Sequence, residues 1–217
     1  MSWSSGKDST MALSAAQREA HINVVGLLTT MNASANRVAM HAVRRSLVET
    51  QAERLGLPLH VIEIPEHCTN EIYEEKMSHA IHAAGEDDVR HFIFGDLFLE
   101  DVRRYREDQL ERTDVSPLFP LWGMPTEVLA TSLINDGVRA VITCVDPKQL
   151  SPSFVGRTFD AAFLSELPPG VDPCGERGEF HTFVFDAPGF SSPIDVRVGE
   201  IVDRDGFVFC DVVPNAN

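Results

Sequence analysis

One short stretch near the N-terminus constrains this chain more than any other. It places hydroxyls, a glycine and a lysine directly before an alanine-rich helical segment: Ser4, Ser5, Gly6, Lys7, Asp8 and Ser9. Gly6 lets the backbone come close to an anion, and the first free N–H groups of the helix point at the same place. Lys7 adds a full positive charge. The stretch predicts a phosphate-binding loop; the alternative is a helix start capped by Ser or Asp with no ligand.

The charge of the chain limits what such a phosphate belongs to. The 217 residues carry a formal net charge of −15, so we expect no nucleic-acid or membrane partner and a phosphate held by a local site. Four scattered cysteines form no Cys-x-x-Cys pair, which predicts neither a zinc site nor a disulfide framework. With no apolar run of membrane length and no signal peptide before the loop, we expect a cytoplasmic protein.

Predicted strands and helices alternate along the first two thirds of the chain. Apolar runs predict strands at residues 22–28, 59–64, 91–94 and 138–145, and helical spacing predicts helices at residues 9–20, 38–55, 71–84, 100–111 and 125–136. Gly56, Gly85 and Gly137 are expected to end three of these helices. This rhythm predicts an α/β fold of parallel βαβ units in a doubly wound sheet.

The pattern changes after residue 150. We expect residues 1–150 to form the α/β region around the loop and residues 151–217 a small α+β accessory region. The latter starts with a helix at residues 154–167 and ends in a hairpin of residues 196–202 and 207–213. Prolines in residues 117–122 predict an ordered loop rather than a central strand.

The start of the chain conflicts with this fold, because a phosphate loop of this kind normally follows a buried strand. Only Met1, Ser2 and Trp3 precede the loop. We expect the first strand to be missing. Either the biological start codon lies upstream, or the sheet closes over a very short strand.

A second set of polar residues follows the predicted strand at residues 91–94. Asp96 would lie at the carboxyl end of that strand, in the same crevice as the loop, where it could hold Mg²⁺ or orient a nucleotide. Arg103 and Glu107 are four residues apart and share a helix face. The alternative is an ordinary aspartate cap and a solvated ion pair.

The densest group of reactive side chains lies just before the strand that begins near Phe183. It reads Asp172-Pro173-Cys174-Gly175-Glu176-Arg177-Gly178-Glu179-Phe180-His181-Thr182. Such density on flexible backbone is costly for stability and indicates function. Glu176, Glu179 and His181 are candidate general acids or bases. The alternative is a glycine-rich turn leading into a strand.

These motifs together resemble one family. Ser-Ser-Gly-Lys-Asp-Ser differs from the Walker loop and is similar to the Ser-Gly-Gly-x-Asp-Ser loop of the PP-loop ATP pyrophosphatases, with Ser5 in place of the first glycine. Cys-Gly-Glu-x-Gly-Glu-Phe-His-Thr resembles the signature of the diphthine–ammonia ligase family within that superfamily. With Gly95-Asp96 between them, the resemblance spans nearly the whole chain and implies a HUP-type α/β fold.

The resemblance implies that ATP is cleaved to AMP and pyrophosphate while a carboxylate becomes an acyl-adenylate, which ammonia attacks to give an amide. The loop residues Ser4 to Ser9 would bind ATP with Mg²⁺, together with Leu28, Thr29, Gly95, Asp96 and Arg103. Catalysis would use Lys7, Asp8, Glu176, Glu179 and His181. The acceptor side would include Cys174, Gly175, Gly178, Thr182 and Glu107, and Asp8 and Asp96 would hold the metal.

Alternatives to the ligase stay open at this point. One is an ATP α–β hydrolase of the same superfamily, and another is a thiolation enzyme, for which Cys174 is the plausible persulfide carrier. A third is a regulator that binds ATP without turnover. The sequence does not name the acceptor carboxylate, and it is compatible with a homodimer.

Overall fold

The structure is a computed structural model and describes residues 1–38 and 41–215. Its helices are α1 (Lys7–Arg18), α2 (Arg45–Leu55), α3 (Asn70–Glu86), α4 (Glu100–Leu110), α5 (Thr126–Asn135) and α6 (Ala161–Glu166). Its strands are β1 (Leu27–Asn32), β2 (Arg37–Val38), β3 (Leu59–Ile64), β4 (His91–Ile93), β5 (Ser116–Leu118), β6 (Arg139–Val145), β7 (Phe180–Asp186), β8 (Val196–Arg204) and β9 (Phe207–Pro214).

The first half of the chain contains two parallel strand pairs, which makes the protein a mixed α/β structure. β1 pairs with β3 over six residues, starting with Leu27 opposite Leu59. β4 pairs with β5, with Phe92 opposite Pro117. Helices connect the strands of each pair, as parallel pairing requires. The expected parallel α/β units are therefore present.

The first three residues complete the sheet between these two pairs. Ser2 forms a parallel bridge with Leu28, and the Trp3 amide donates to the Leu28 carbonyl at 2.7 Å. On the other side, the Ser2 amide donates to the Ile93 carbonyl at 2.9 Å. The expectation that the strand is missing is thus corrected. A very short segment occupies its place and joins β1 to β4.

This short segment leaves a cavity at the amino-terminal end of the sheet. The cavity measures about 750 Å³ and lies between residues 21–28 on one side and residues 87–93 on the other, with Ala80, Ala83 and Ala84 of α3 in its wall. The Met1 amine donates to the Gly26 carbonyl at 2.9 Å, and burial lowers the pKa of this amine to about 6. The sheet therefore holds an amine at a position where a longer strand would place an uncharged amide.

We expect a chain extended before Met1 by a five-residue apolar strand to be more stable than the chain that starts at Met1. The extension would fill the cavity and replace the buried amine, whose pKa shift of two units costs about 2 kcal/mol near pH 6. For a chain of this size that corresponds to a rise in Tm of about 4 to 8 °C. Thermal unfolding at pH 6 measures it.

The matched control for this test is a Gly/Ser extension of equal length. It also removes the charge at Met1, but it contributes little apolar surface to the cavity. We expect it to recover only the pH-dependent part of the gain, which disappears above pH 8 because the amine of the unfolded chain is then neutral as well. Equal melting temperatures for all three chains would contradict the prediction.

The second half of the chain forms an antiparallel sheet with the strand order β7-β6-β9-β8. β8 and β9 form the hairpin expected from the sequence, with the tight turn at Asp205 and Gly206. β6 was expected to continue the parallel units, but it pairs antiparallel with both β7 and β9. The boundary at residue 150 stays a prediction, and one cluster of buried apolar side chains extends through both regions.

Several boundaries differ from those predicted. β1 begins at Leu27 rather than at Ile22, because residues 22–26 line the cavity and have no strand partner there. The helix expected from Val38 begins only at Arg45, because Val38 belongs to β2 and pairs with Met31 of β1. Residues 39–40 lie outside the described part of the chain. Gly85 lies inside α3 instead of ending it.

Two further segments differ from their predicted structure, one around Pro117 and one at residues 154–167. Pro117 lies in β5, an edge strand whose bonds to β4 use the amide of Ser116 and the carbonyl of Leu118, so the missing N–H of proline is tolerated. The helix expected at residues 154–167 is only a 3₁₀ turn (Pro152–Phe154) and the short helix α6. The Asp160 side chain caps α6 by accepting from the Phe163 amide.

Among residues 1–38 and 41–215, no helix has the length and apolar character needed to cross a bilayer.

Candidate functional site

The predicted phosphate loop wraps around the N-terminus of α1. Gly6 is the residue before the helix, and its carbonyl accepts from the Thr10 amide at 3.1 Å and from the Ser9 hydroxyl at 2.9 Å. The Ser4 hydroxyl donates to that of Ser9 at 3.2 Å. Ser5 has φ of +69°, a conformation that favours glycine.

A buried glutamine on α2 holds this loop against the sheet. The Gln51 amide donates to the Ser5 carbonyl at 3.0 Å and to the Val184 carbonyl at 2.6 Å, and it accepts from the Trp3 indole at 2.9 Å. The Ser5 carbonyl also accepts from the Val184 amide at 3.0 Å. These bonds fix the loop to β7, so the first and third motifs are neighbours in space.

Lys7 is at the centre of this arrangement. Its side chain is 2% exposed, and its ammonium group donates to both carboxylate oxygens of Asp8, at 2.9 and 2.8 Å, and to the Cys174 carbonyl. Burial alone would lower the pKa of Lys7, but Asp8 and other nearby negative groups raise it overall. Lys7 is therefore a firmly charged group that connects the loop to the third motif.

The Gly95-Asp96 pair lies directly beside the loop. A Cβ on Gly95 would come within 3.0 Å of the Asp8 carbonyl carbon, so only glycine allows this approach. Burial raises the pKa of Asp96, the Asp8 charge adds to the rise, and Arg106 opposes it from 3.7 Å. Asp96 thus lies beside the loop, just after β4, and the place where the loop, Asp96 and Glu176 come together is called the crevice below. A role for Asp96 at a metal or nucleotide stays a prediction.

The third motif contains a buried carboxylate that shapes its turn. Glu179 is 1% exposed and accepts from the Asp172 amide and the Arg177 amide, both at 2.9 Å. Asp172 in turn accepts from the Cys174 amide at 2.8 Å. Gly175 has φ of +68°, and a Cβ there would lie 2.7 Å from the Phe180 carbonyl oxygen. These contacts give Glu179 a positioning role, while its predicted acid–base role stays a prediction.

Glu176 differs from Glu179 in facing the acidic side of the crevice. It accepts from the Leu97 amide at 2.7 Å, next to Asp96. Burial raises the pKa of Glu176 to about 7, and the charges of Asp8 and Asp96 add to the effect, while the Leu97 amide and Lys7 oppose it. A carboxyl group that titrates near neutral pH beside a charged lysine is suited to moving a proton.

His181 and Thr182 extend this group along β7. The Thr182 hydroxyl accepts from the Lys7 amide at 3.1 Å, which ties β7 to the first turn of α1. His181 lies against His41, with ring centroids 4.6 Å apart. The structure therefore places both residues at the phosphate loop itself, and not only on the side that the sequence assigned to the acceptor.

Arg103 and Glu107 form the expected pair on α4, with 2.7 Å between Arg103 Nε and Glu107 Oε1. The Arg103 guanidinium also lies 4.9 Å from the Phe119 ring centre and 4.7 Å from that of Trp122. Arg106, which the sequence did not single out, is the arginine that reaches Asp96. The role of Arg103 at the nucleotide stays a prediction.

Leu28 and Thr29 lie on β1, next to the N-terminal segment. Thr29 is buried, and its hydroxyl makes no hydrogen bond with any residue among 1–38 and 41–215. The buried Ser5 hydroxyl is likewise without a partner in the described part of the chain. Buried hydroxyls without partners are uncommon, and here one lies in the loop and one on the adjoining strand.

Sequence reasoning did not find three residues that position this site: Gln51, His41 and Arg106. Gln51 follows Leu47 and Val48 on the buried face of α2, and a polar side chain at such a position was a usable signal. His41 and Arg106 carry no pattern of that kind. Their roles depend on which elements the fold brings together.

The two predicted metal ligands are Asp8, which lies in the loop, and Asp96, whose pKa is raised in part by the Asp8 charge. Within the described residues, no group of three or more His, Cys, Asp or Glu side chains is arranged to hold a metal ion. Two carboxylates are nevertheless the usual protein contribution to a Mg²⁺ ion that a bound polyphosphate also coordinates. Both carboxylate oxygens of Asp8 bond to Lys7 and Asp96 faces Arg106, so the role of the two residues as Mg²⁺ ligands stays a prediction.

Together, the parallel βα units and the antiparallel sheet that follows them define a mixed α/β protein with a glycine- and serine-containing loop at the start of α1. Two family models match the chain. The one described as the diphthamide synthase N-terminal domain covers residues 1–115, and the one described as the diphthamide synthase C-terminal domain covers residues 125–213. The chain belongs to the diphthamide synthase family, which confirms the resemblance seen in its motifs.

Curated relatives agree with this family assignment. The chain is similar to the diphthine–ammonia ligases of Homo sapiens and Bos taurus, at 35% and 34% identity over 120 residues, which cover 52% of this chain and 45% of each relative. The diphthine–ammonia ligase of Danio rerio is 32% identical, with 52% of this chain and 47% of the relative covered. The chain spans about half the length of the curated relatives it matches.

Proposed function

We propose that this protein is an ATP-dependent ligase that forms AMP. It would adenylate a carboxylate, and ammonia would convert the acyl-adenylate to an amide; the use of ammonia agrees with the name of its diphthine–ammonia ligase relatives. The observation that carries the proposal is Lys7, which bonds both to Asp8 of the loop and to the Cys174 carbonyl of the third motif. One charged group thus links the phosphate loop to the acid–base candidates.

The proposed fold is the HUP-type doubly wound sheet of the PP-loop proteins. Supporting it, the strand order around the loop is β3, β1, the N-terminal segment, β4 and β5, with parallel pairing in both flanking pairs. The polyphosphate would lie on residues 4–9. The sequence placed the adenine at Leu28 and Thr29 as the end of a strand at residues 22–28, but β1 runs from Leu27 to Asn32, so both residues lie near its amino end. An adenine beyond the carboxyl ends of the strands, where ligands of open α/β sheets lie, would instead meet β1 at its Asn32 end.

In this proposal each residue has a physical task. Lys7 and the first amides of α1 stabilise the negative charge that grows on the leaving pyrophosphate. Asp8 and Asp96 would hold Mg²⁺, which neutralises phosphate charge when bound. Glu176 holds or releases a proton on the acceptor side of the crevice, and Cys174, Gly175 and Gly178 shape the acceptor wall.

The thiolation alternative is disfavoured by Cys174. Burial raises the pKa of its thiol to about 12, with the Lys7 charge opposing the rise. A sulfur nucleophile or persulfide carrier needs the thiolate, which is scarce at neutral pH under these conditions. The hydrolase and the regulator without turnover stay as rivals, and a cytoplasmic homodimer stays a prediction from the sequence.

The product of ATP cleavage tests the proposal. We expect the protein with ATP, Mg²⁺, ammonia and a diphthine-bearing acceptor to release AMP and pyrophosphate, because the acceptor carboxylate takes the adenylyl group and pyrophosphate leaves from the loop. Chromatography of the nucleotides measures the product. The Asp96→Asn variant tests whether product formation depends on the crevice. The Lys148→Ala variant removes an exposed lysine and controls for the loss of one positive charge elsewhere. ADP as the product would contradict the proposal. ATP binding without any product in the presence of acceptor and ammonia would favour the regulator, and AMP formed without acceptor would favour the hydrolase.

A further inference from the structure

Two histidines meet over the phosphate loop, and the proposed chemistry leaves one of them without a role. A Cβ on Gly6 would lie 3.1 Å from the His41 Cε1 atom, so the imidazole packs directly on the loop backbone. His41 Nδ1 lies 3.2 Å from the Thr182 carbonyl oxygen. The His181 ring lies 4.6 Å from that of His41, centre to centre. The pair is therefore built into the junction of the loop and β7.

The hydrogen-bonding capacity of this pair is largely unused. His41 uses Nδ1 only, and neither His41 Nε2 nor the two ring nitrogens of His181 bond to any residue within 1–38 and 41–215. Both residues are partly buried, so the free nitrogens are neither fully solvated nor paired. Polar groups in this situation are suited to meeting a ligand.

Burial, together with the Lys7 charge, keeps both rings neutral. Burial lowers the pKa of His41 to about 4. The Lys7 charge also lowers this pKa, while the hydrogen bond to the Thr182 carbonyl raises it. Burial also lowers the pKa of His181 well below its usual range, with further lowering from His41 and Lys7. The next cations, Arg37 and Arg44, are paired with Asp211, which offsets their charge. Without a ligand, the dominant charge that the pair faces is that of Lys7.

We propose that His41 and His181 bind the terminal phosphates of the nucleotide and take up a proton as they do so. A polyphosphate on residues 4–9 places several negative charges beside Lys7 and the two rings, which reverses the local electrostatics and favours imidazolium. A protonated ring donates from both nitrogens, so it can bond a phosphate oxygen and the Thr182 carbonyl together. This inference rests on the proposed function, because it assumes that the loop binds polyphosphate.

Linkage makes the inference measurable. If the protein binds one proton together with Mg²⁺-pyrophosphate, its affinity for this ligand falls as pH rises. The fall is about tenfold for each pH unit in the range where every binding event takes up a full proton. We expect wild-type protein to lose on the order of tenfold in affinity between pH 6 and pH 8, relative to the His41→Gln/His181→Gln variant. AMP, which lacks the terminal phosphates, should show no such difference.

Titration calorimetry at pH 6 in two buffers with different ionisation enthalpies counts the protons directly. Mg²⁺-pyrophosphate is the probe, so no turnover is needed. The His82→Gln variant is the matched control, since His82 is exposed on α3, 82% by side chain, and far along the chain from the loop. We expect wild type and the control to take up a proton that the double variant does not.

A second measurement covers the case in which the double variant does not fold. In the wild-type protein, NMR titration of the imidazole Cε1 signals should show two of them moving to higher pKa when pyrophosphate is added. Equal proton uptake in wild type and folded double variant, or unmoved imidazole pKa values in wild type saturated with pyrophosphate, would overturn the inference.

The proposed function fails by a different result. Linked proton uptake on pyrophosphate together with ADP as the cleavage product would support the histidine pair and contradict the AMP-forming ligase. AMP as the product without any linked proton uptake would support the ligase and overturn the role of the pair. The two ideas can therefore be separated with the same protein samples.

Discussion

Lys7→Ala is expected to lower AMP formation by a factor on the order of 10² to 10³, the usual cost of removing one group that stabilises charge in a transition state. The Lys7 ammonium is the one cation that bonds to both the loop and the third motif in the described structure. Initial rates of AMP release measure the effect, and calorimetry with ATP and Mg²⁺ measures the loss of affinity that accompanies it.

The same substitution has a cost in stability that must be separated from its effect on activity. Asp8, whose side chain is 28% exposed, would be left without its partner, and burial already raises the pKa of this carboxyl. Removing one member of a fully buried ion pair typically destabilises by about 3 to 5 kcal/mol, and the partial exposure of Asp8 places the expected cost below that range. The Lys7→Ala/Asp8→Asn double variant leaves no unpaired charge, so we expect it to regain stability but not activity.

Lys7→Arg and Lys148→Ala complete this test. Arginine keeps the charge but does not fit the enclosed space between the Phe159 and Phe180 rings, whose centres lie 5.9 and 5.4 Å from the ammonium. We expect it to retain only part of the activity, and Lys148→Ala to retain all of it. Full activity in a folded Lys7→Ala protein would remove this loop from the chemistry.

The sequence predicted the elements that follow local rules. The loop, the strand β3 and the hairpin of β8 and β9 each have a composition and spacing that determine their structure locally. Gly95 was found as part of a motif, although its structural reason, a 3.0 Å approach to Asp8, is visible only in three dimensions. The motif alone therefore marked Gly95 as special, while the contact that requires glycine depends on the fold.

Non-local contacts account for what the sequence did not predict. Met1–Trp3 was too short to read as a strand, and it is ordered only because β1 and β4 offer hydrogen bonds on both sides. The antiparallel pairing of β6 depends on β7 and β9, which follow it by about 35 residues or more. No periodicity within β6 could have revealed it, because buried strands have similar apolar runs in either orientation.

The candidate site shows the same limit. The sequence assigned the third motif to the acceptor, because it lies far from the loop along the chain. The fold brings Thr182 to the Lys7 amide and His181 to the loop, through the bonds of Gln51 and β7. Each residue of the third motif therefore has to be assigned separately, either to nucleotide binding or to the acceptor. Glu176 is the residue with the clearest case for the acceptor side.

Glu176→Gln is expected to lower AMP formation by about 10² to 10⁴, the range typical of a lost general acid or base, while ATP affinity changes little. Because burial raises the pKa of Glu176 to about 7, the carboxylate that would act as a base forms as pH rises through neutrality. The wild-type rate should therefore rise up to about pH 7 and then level off. The variant should lose this dependence together with the rate.

Stability gives an independent check on Glu176, with the opposite sign. Its pKa in the folded protein lies above the ordinary carboxyl value, so between about pH 4.5 and 7 the folded state binds more protons and stability falls as pH rises. Glu176→Gln removes this loss. Allowing for partial solvent screening, we expect the variant to be more stable than wild type at pH 8 by about 1 to 2 kcal/mol.

Glu179→Gln is the matched variant, since Glu179 belongs to the same motif but accepts two backbone amides in a fully buried position. An amide side chain can accept only one of these bonds, which leaves a buried N–H unpaired and costs about 1 to 3 kcal/mol. We therefore expect Glu179→Gln to lose stability and Glu176→Gln to gain it, although both lose activity. A group kept in a destabilising position serves function rather than folding. If Glu176→Gln were instead less stable and still active, Glu176 would be a structural residue and the proton transfer would have to be assigned elsewhere.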